Sequence, residues 1–372
     1  MISSRYDFIY PSDRKVTISD ILPTIANQLS GGEVGYKAFD LEPAERYVLV
    51  LVDGLGRYLL EDHRCRAPFL SEALSSSIEA MSSIPSTTAT AMASLGLGED
   101  PGSHGIAGYS FRYGEQTLTP LSWPAFVDPH SFHTHPSYFA RLSACGMTTA
   151  TVSLAQFENS GLTKVALDGS DFYPISNEED SDERLLSIRR ALLDHRLVFT
   201  YERRLDHIAH LEGSSAPRWS DSLDSVDEWI ERLRDELDES CRIVVTADHG
   251  MIDVDRDQII MIEDHPQLSR GLSLIAGEGR LRHLYGTDPK SIAHNWRSFL
   301  GDRAEVWTRQ EAINLGLFGK VDTAVEDRFG DVIVAMRDRW AVMTWTKPKE
   351  IHLVGQHGSL TAAESLIPLI IV

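Results

Sequence analysis

Three apolar runs without polar alternation stand out along the chain: YVLVLV (47–52), RLVFTY (196–201) and RIVVT (242–246). Uninterrupted apolar and β-branched residues of this length predict strands buried on both faces. Further strands are expected near 78–83 and at 147–152, with helices near 55–74 and 87–95 between them. Strands alternating with helices predict crossover connections, so the fold class expected is α/β with a mostly parallel central sheet flanked by helices. The clearest helix is 217–238, where Trp219, Leu223, Val226, Ile230, Leu233 and Leu237 recur at steps of four and three and leave one apolar face for the sheet.

Residues 1–45 read as an N-terminal accessory segment with one helix over about 17–29, capped by Thr17 or Ser19 and ended by Gly31-Gly32. The main α/β domain is expected over 46–261 and 346–372, with a smaller α+β subdomain inserted over 262–345. Near the end, Thr361 and Glu364 have capping-box spacing, and LIPLIIV reads as a last strand. The acidic stretch NEEDSDE within 171–185 reads as a solvated loop or helix start.

Composition narrows the function. The 372 residues exceed the size at which one core usually stops growing. A formal charge of −20 argues against binding a nucleic-acid polymer through a basic surface and leaves small anions as partners, if bound cations reverse the field locally. No apolar run reaches membrane-span length, so no membrane partner is expected. Cys65, Cys145 and Cys241 form no Cys-x-x-Cys pair, which indicates neither a disulfide framework nor a thiolate metal site. The start MISSRYDFIYPSDRK lacks the basic and apolar regions of a secretory signal, and cytoplasm is the default localisation. Nothing in the sequence fixes an oligomeric state.

The candidate chemistry sits where the apolar runs stop. Asp53 follows the first, Asp206 and His210 follow the second, Asp248-His249-Gly250 follows the third, and His357 stands between two glycines near the end. Carboxylates and imidazoles are ligands for divalent ions such as zinc or manganese, and in open α/β sheets ligands gather beyond the carboxyl ends of the strands. Asp206 and His210, four apart, would share one side of a helical turn, and Gly250 would permit a tight turn. The segment SSIPSTTATAMASLGLG (82–98) places Ser86, Thr87 and Thr88 at a helix N-terminus, as caps or as a hydroxyl facing an anion site. A threonine needs a metal or a base to become a nucleophile; a two-metal site, its ions about 4 Å apart, would supply activation and leaving-group stabilisation together.

In order along the chain, VLVLVDGLG, PSTTAT with PGSHGI, YERRLDHIAH, VTADHGM and GQHGSL mark out a match over most of 46–260 plus 350–372. Together these blocks resemble the type I phosphodiesterase/nucleotide pyrophosphatase family of the alkaline phosphatase superfamily. The resemblance implies an alkaline-phosphatase-like sheet and two divalent ions, a pair of zinc ions with manganese as the rival identity. Asp53, Asp248 and His249 would hold one ion, and Asp206, His210 and His357 the other. Thr88, which falls on the nucleophile position counted back from His104, would also touch the first ion and form a phosphothreonine intermediate; Thr87 is the alternative. The implied activity is cleavage of phosphodiester or pyrophosphate bonds in small, anionic, nucleotide-like esters.

One departure matters: nucleotide-cleaving eukaryotic members carry an asparagine three residues after the nucleophile, and here that residue is Ala91. Thr90 or another group would have to hold the phosphate oxygen, which keeps phosphomonoesterase and phosphonate hydrolase chemistry open. A noncatalytic binding domain would not need the retained hydroxyl and ligands. Sulfatase chemistry lacks its Cys-x-Pro-x-Arg context. Tyr109 and Phe157 to Asn159 are candidate substrate contacts or packing residues, whereas His104 and His207 read as structural. His130, His133 and His135, in DPHSFHTHP, read mainly as loop histidines with some capacity to bind a metal.

Overall fold

The computed structural model describes residues 4–13, 16–133 and 135–372. A seven-stranded sheet forms its centre, running from edge to edge as Ile78–Met81, Leu366–Ile371, Cys241–Thr246, Arg46–Val52, Leu197–Glu202, Thr149–Leu154 and Asp171–Ile175. Arg46–Val52 lies parallel to both neighbours, with Val52 opposite Glu202 and Leu51 opposite Thr246. These strands therefore end at one level, and the segments leaving them start side by side. Leu366–Ile371 runs antiparallel between Cys241–Thr246 and Ile78–Met81, so the chain just before it arrives at that same end.

Tyr47 to Val52 are fully buried, as both-face burial of an unalternated run requires. The helix Pro217–Glu236 turns Trp219, Leu223, Val226, Ile230 and Leu233 into the core. The stretch expected as one helix over 55–74 is two, Arg57–Asp62 and Pro68–Leu74. Pro68 lacks the N–H that an interior position needs and starts the second helix instead. In the N-terminal segment the helix Ile21–Ser30 ends at Gly31, whose φ of 64° suits glycine. Ile18, Ile21, Leu22 and Ile25 join the main core.

A second core forms around the four-stranded antiparallel sheet of Leu272–Gly277, Leu281–Gly286, Val332–Met336 and Ala304–Thr308, with Trp296 and Leu300 of the helix Pro289–Leu300 packed on it. No helix among the described residues is long and apolar enough to cross a membrane.

The capping box expected at Thr361 is not formed: the Thr361 hydroxyl accepts no backbone N–H, and it donates instead to the Glu364 carboxylate. Glu364 instead pairs with Arg280 at 2.7 Å, both side chains fully buried. This ties the second core to the turn before the last strand. Removing one member leaves a buried charge unpaired, so Glu364→Ala is expected to cost about 3 kcal/mol in a urea unfolding titration. A midpoint equal to the parent's would show that Arg280 finds another partner.

Candidate active site

The six side chains that follow the strands come together at this common end. His210 Nε2 lies 3.3 Å and His357 Nε2 3.8 Å from Asp206 Oδ1. His249 Nε2 lies 3.4 Å from both Asp53 Oδ1 and Asp248 Oδ2. The His249 and His357 rings stack 3.6 Å apart, so the two sets adjoin. Two ligand groupings fall within 4.8 Å, namely Asp206 with His210 and His357, and Asp53 with Asp206 and His249. Asp206 belongs to both.

Backbone geometry builds the cluster. Gly54 has a φ of +73°, and a Cβ there would sit 3.2 Å from Asp206 Cα. Its N–H donates to Asp248 Oδ1 at 3.0 Å, locking the first and third strand ends together. Gly250 serves a different purpose from the turn expected of it. Its φ is not left-handed, but a Cβ would come within 1.9 Å of the Ala363 carbonyl oxygen, so close chain approach excludes a side chain.

The protonation pattern calls for cations. Each histidine directs Nδ1 at a backbone carbonyl: His210 to Gly355 at 2.7 Å, His249 to Gly250 at 2.9 Å and His357 to Ser86 at 2.9 Å. With Nδ1–H donating there, each Nε2 presents a lone pair toward carboxylate oxygens, the arrangement found around metal-ligating imidazoles. Asp206 Oδ1 and Asp248 Oδ2 are buried and have no hydrogen-bond partner. Lone pairs facing lone pairs in a buried site are costly until positive charge lies between them. Burial, and then the charges of Asp206 and Asp248, push the Asp53 carboxyl well above its usual range. Burial, and then His249 and His357's other neighbour His210, hold the His357 ring well below the ordinary histidine value and hence neutral. The donor set fits divalent ions of the zinc or manganese kind.

A pH effect follows from Asp53. Because its pKa is higher in the folded, metal-free chain than unfolded, its contribution to stability is complete below the ordinary carboxylate pKa and lost as pH rises through the folded value. A bound cation takes the proton's place. The rise in Tm on adding zinc to metal-free protein is therefore expected to be larger at pH 8 than at pH 5. Equal rises at both values would disconnect the buried carboxylates from metal binding.

Thr88 is the first residue of the helix Thr88–Leu97, with Thr87 at the N-cap position. Its hydroxyl lies 3.2 Å from His249 Nε2 and 3.4 Å from Asp53 Oδ1. The Thr87 hydroxyl points instead to Glu278, donating at 3.3 Å. Backbone N–H groups at this helix start have no partner within the helix and favour an anion beside Thr88.

Two cavities open on Thr88 and Asp206, each of about 280 Å³. One is mostly apolar, with Met92, Leu121, Phe157, Leu162, Phe172 and Tyr201 in its wall. The other carries Tyr109, Glu278, Lys349, Glu350 and Gln356. Tyr109 and Phe157 thus face cavities. Thr90 is completely buried and His104, also buried, bonds Ser94 at 3.0 Å; neither lines these cavities. A substrate contact from Thr90 is therefore not supported by its position. His207 lies in the apolar cavity's wall.

Sequence reading missed two residues. The Tyr201 hydroxyl donates to Asp53 Oδ2 and orients it; its place at the end of a site-bearing strand was the available signal. Glu278 is largely enclosed between Thr87 and His357, whose Nδ1 is 3.7 Å away. Burial, and then the charge of Glu350, push its carboxyl well above its usual range. No local pattern marks it.

Comparison with known proteins agrees on the fold. Murine ectonucleotide pyrophosphatase / phosphodiesterase 5 superimposes with a TM-score of 0.69 at 15% identity over 87% of each chain. An inactive variant of that protein has been solved in complex with AMP. Phosphonoacetate hydrolase from Sinorhizobium meliloti 1021, in complex with phosphonoformate, gives a TM-score of 0.69 at 20% identity over 88% of this chain and 90% of its own. No curated protein sequence gives a significant match. The family model for type I phosphodiesterase / nucleotide pyrophosphatase matches residues 47–360, a span that includes Thr88 and all six candidate ligands. The chain belongs to the type I phosphodiesterase / nucleotide pyrophosphatase family.

Proposed function

We propose that the protein hydrolyses phosphodiester or pyrophosphate bonds of small nucleotide-like substrates, with Thr88 as nucleophile. The observation that carries this reading is the Thr88 hydroxyl, poised at a helix start beside His249 and Asp53 and open to a largely apolar cavity. Asp53, Asp248 and His249 would hold one divalent ion, and Asp206, His210 and His357 a second. When bound, these ions, zinc by the donor chemistry, supply the positive charge that acidifies a hydroxyl and offsets phosphoryl oxygens.

The chain's own groups account for positioning. Helix-start N–H groups hold the anionic phosphoryl group against Thr88, and the apolar wall takes a base or other flat leaving group. Attack forms a bond from Thr88 Oγ1 to phosphorus as the bond to the leaving oxygen breaks in line and the hydroxyl's proton ends on the departing alcohol or phosphate, giving a phosphothreonine that still carries the substrate's other ester group. Water then cleaves the phosphorus–Oγ1 bond and restores the hydroxyl. Tyr201 keeps Asp53 oriented throughout.

Ala91 favours a second reading on the same scaffold. A methyl group, buried in the helix, cannot clamp a phosphate oxygen; on this second reading a phosphonate or monoester is the better substrate. Rates on a diester, a monoester and a phosphonate with the same aryl leaving group separate the two. The expected order puts the diester first by at least about tenfold in kcat/KM, or ~1.4 kcal/mol. A preference for the phosphonate or monoester would transfer the assignment to the second reading.

A further inference from the structure

The histidines of DPHSFHTHP take no part in the site above. Glu99, just past the C-terminal end of the Thr88–Leu97 helix, holds Oε2 3.1 Å from His133 Nε2 and Oε1 2.7 Å from His135 Nδ1. The ligand atoms lie within 4.8 Å of one another. The Glu99 and His133 side chains are 15% and 7% exposed, so this is a built cluster rather than a chance meeting of long surface side chains. His130 lines the same cavity as His133 and His135. Tetrahedral zinc, with nitrogen and oxygen donors at about 2.0–2.2 Å, sets neighbouring donors roughly 3.3–3.6 Å apart; the Glu99–His133 pair is near that spacing, and the 2.7 Å Glu99–His135 pair has to open by roughly 0.6–0.9 Å to admit an ion.

His133 Nδ1 is 2.9 Å from the His135 carbonyl oxygen. If Nδ1–H donates there, Nε2 faces the Glu99 carboxylate either as a second N–H of an imidazolium or as a lone pair with a cation between the two acceptors. In the other tautomer Nδ1 accepts the His135 N–H at 3.2 Å, and Nε2–H donates to Glu99 without any ion. Ser103 also donates to Glu99 Oε2 at 2.8 Å, and the Arg141 guanidinium is 3.8 Å from Oε1.

We infer that Glu99, His133 and His135 form a third divalent-cation site, chemically suited to zinc, with His130 or water completing the coordination. Its role is structural. It fastens the segment after Leu121, a residue that borders both cavities, to the far end of the helix that begins with Thr88. The site stands apart from the catalytic reading and does not depend on it.

Metal counting on the full-length chain tests it. Protein stripped with chelator is reloaded with zinc, freed of excess by gel filtration and analysed by atomic emission. The parent is expected to retain one more zinc per chain than His133→Gln/His135→Gln, while that variant keeps the parent's kcat. His135→Ala alone, at a half-exposed position, is expected to weaken this zinc about tenfold or more with the unfolding midpoint of the metal-free protein unchanged. Asp206→Asn, by contrast, should lose zinc elsewhere and keep this equivalent, so failure of one assignment is distinguishable from failure of the other. If His133→Gln/His135→Gln and Glu99→Gln both retain as much zinc as the parent, the inference is overturned and the cluster is a hydrogen-bonded one.

Discussion

Thr88→Ala is expected to reduce kcat by about 10⁴-fold or more while leaving zinc content and the unfolding midpoint unchanged. The substitution removes one hydroxyl and one methyl from the first residue of a helix whose capping position is Thr87. The hydroxyl's neighbours, His249 and Asp53, lose only a contact of 3.2–3.4 Å. Nothing in the core depends on it. Thr88→Ser, which keeps the oxygen on a less restrained side chain, should recover a large part of the activity. Thr87→Ala should cost far less than Thr88→Ala, because the Thr87 hydroxyl is turned to Glu278. Steady-state kinetics on the preferred ester, paired with metal analysis of each variant, checks the set. Parent turnover in Thr88→Ala together with an inactive Thr87→Ala would move the nucleophile by one residue.

Asp206→Asn should be nearly as severe, on the order of 10⁴ in kcat, with loss of bound zinc. Asp206 is the residue common to both ligand groupings, with Oδ1 near His210 and His357 and no hydrogen bond of its own. An amide matches the carboxylate in shape, so the fold stays intact, but it carries no negative charge to offset a cation. Excess zinc should restore part of the activity by mass action, which a merely misfolded protein would not show. Full activity and full zinc content in Asp206→Asn would remove this carboxylate from the metal centre.

The sheet was legible because three central strands are buried on both faces over most of their length and carry unbroken apolar runs there, from Tyr47 to Val52 most plainly. The edge strand Asp171–Ile175 was not, since DFYPI is half-exposed and contains a proline tolerable only at an edge. Site positions at strand ends could be picked out because parallel neighbours end together, which the register Leu51 to Thr246 and Val52 to Glu202 makes concrete. Glu278 comes from a turn in the second sheet and reaches Thr87 only through tertiary packing, so no spacing rule reports it. The need for glycine at 250 likewise depends on a carbonyl more than a hundred residues away, that of Ala363. Glu364 had a good local reason to cap a helix and was drawn instead to Arg280, because a buried guanidinium without a carboxylate costs more than an unmade cap.

Anomalous diffraction at the zinc edge, from crystals of the full-length chain grown with zinc, tests most directly whether these strand-end residues hold a pair of cations around Thr88. The account predicts one peak about 2.0–2.2 Å from donors of Asp206, His210 and His357, and a second at that distance from Asp53, Asp248 and His249. Crystals that bind zinc elsewhere on the chain and show no peak among these six residues would contradict it.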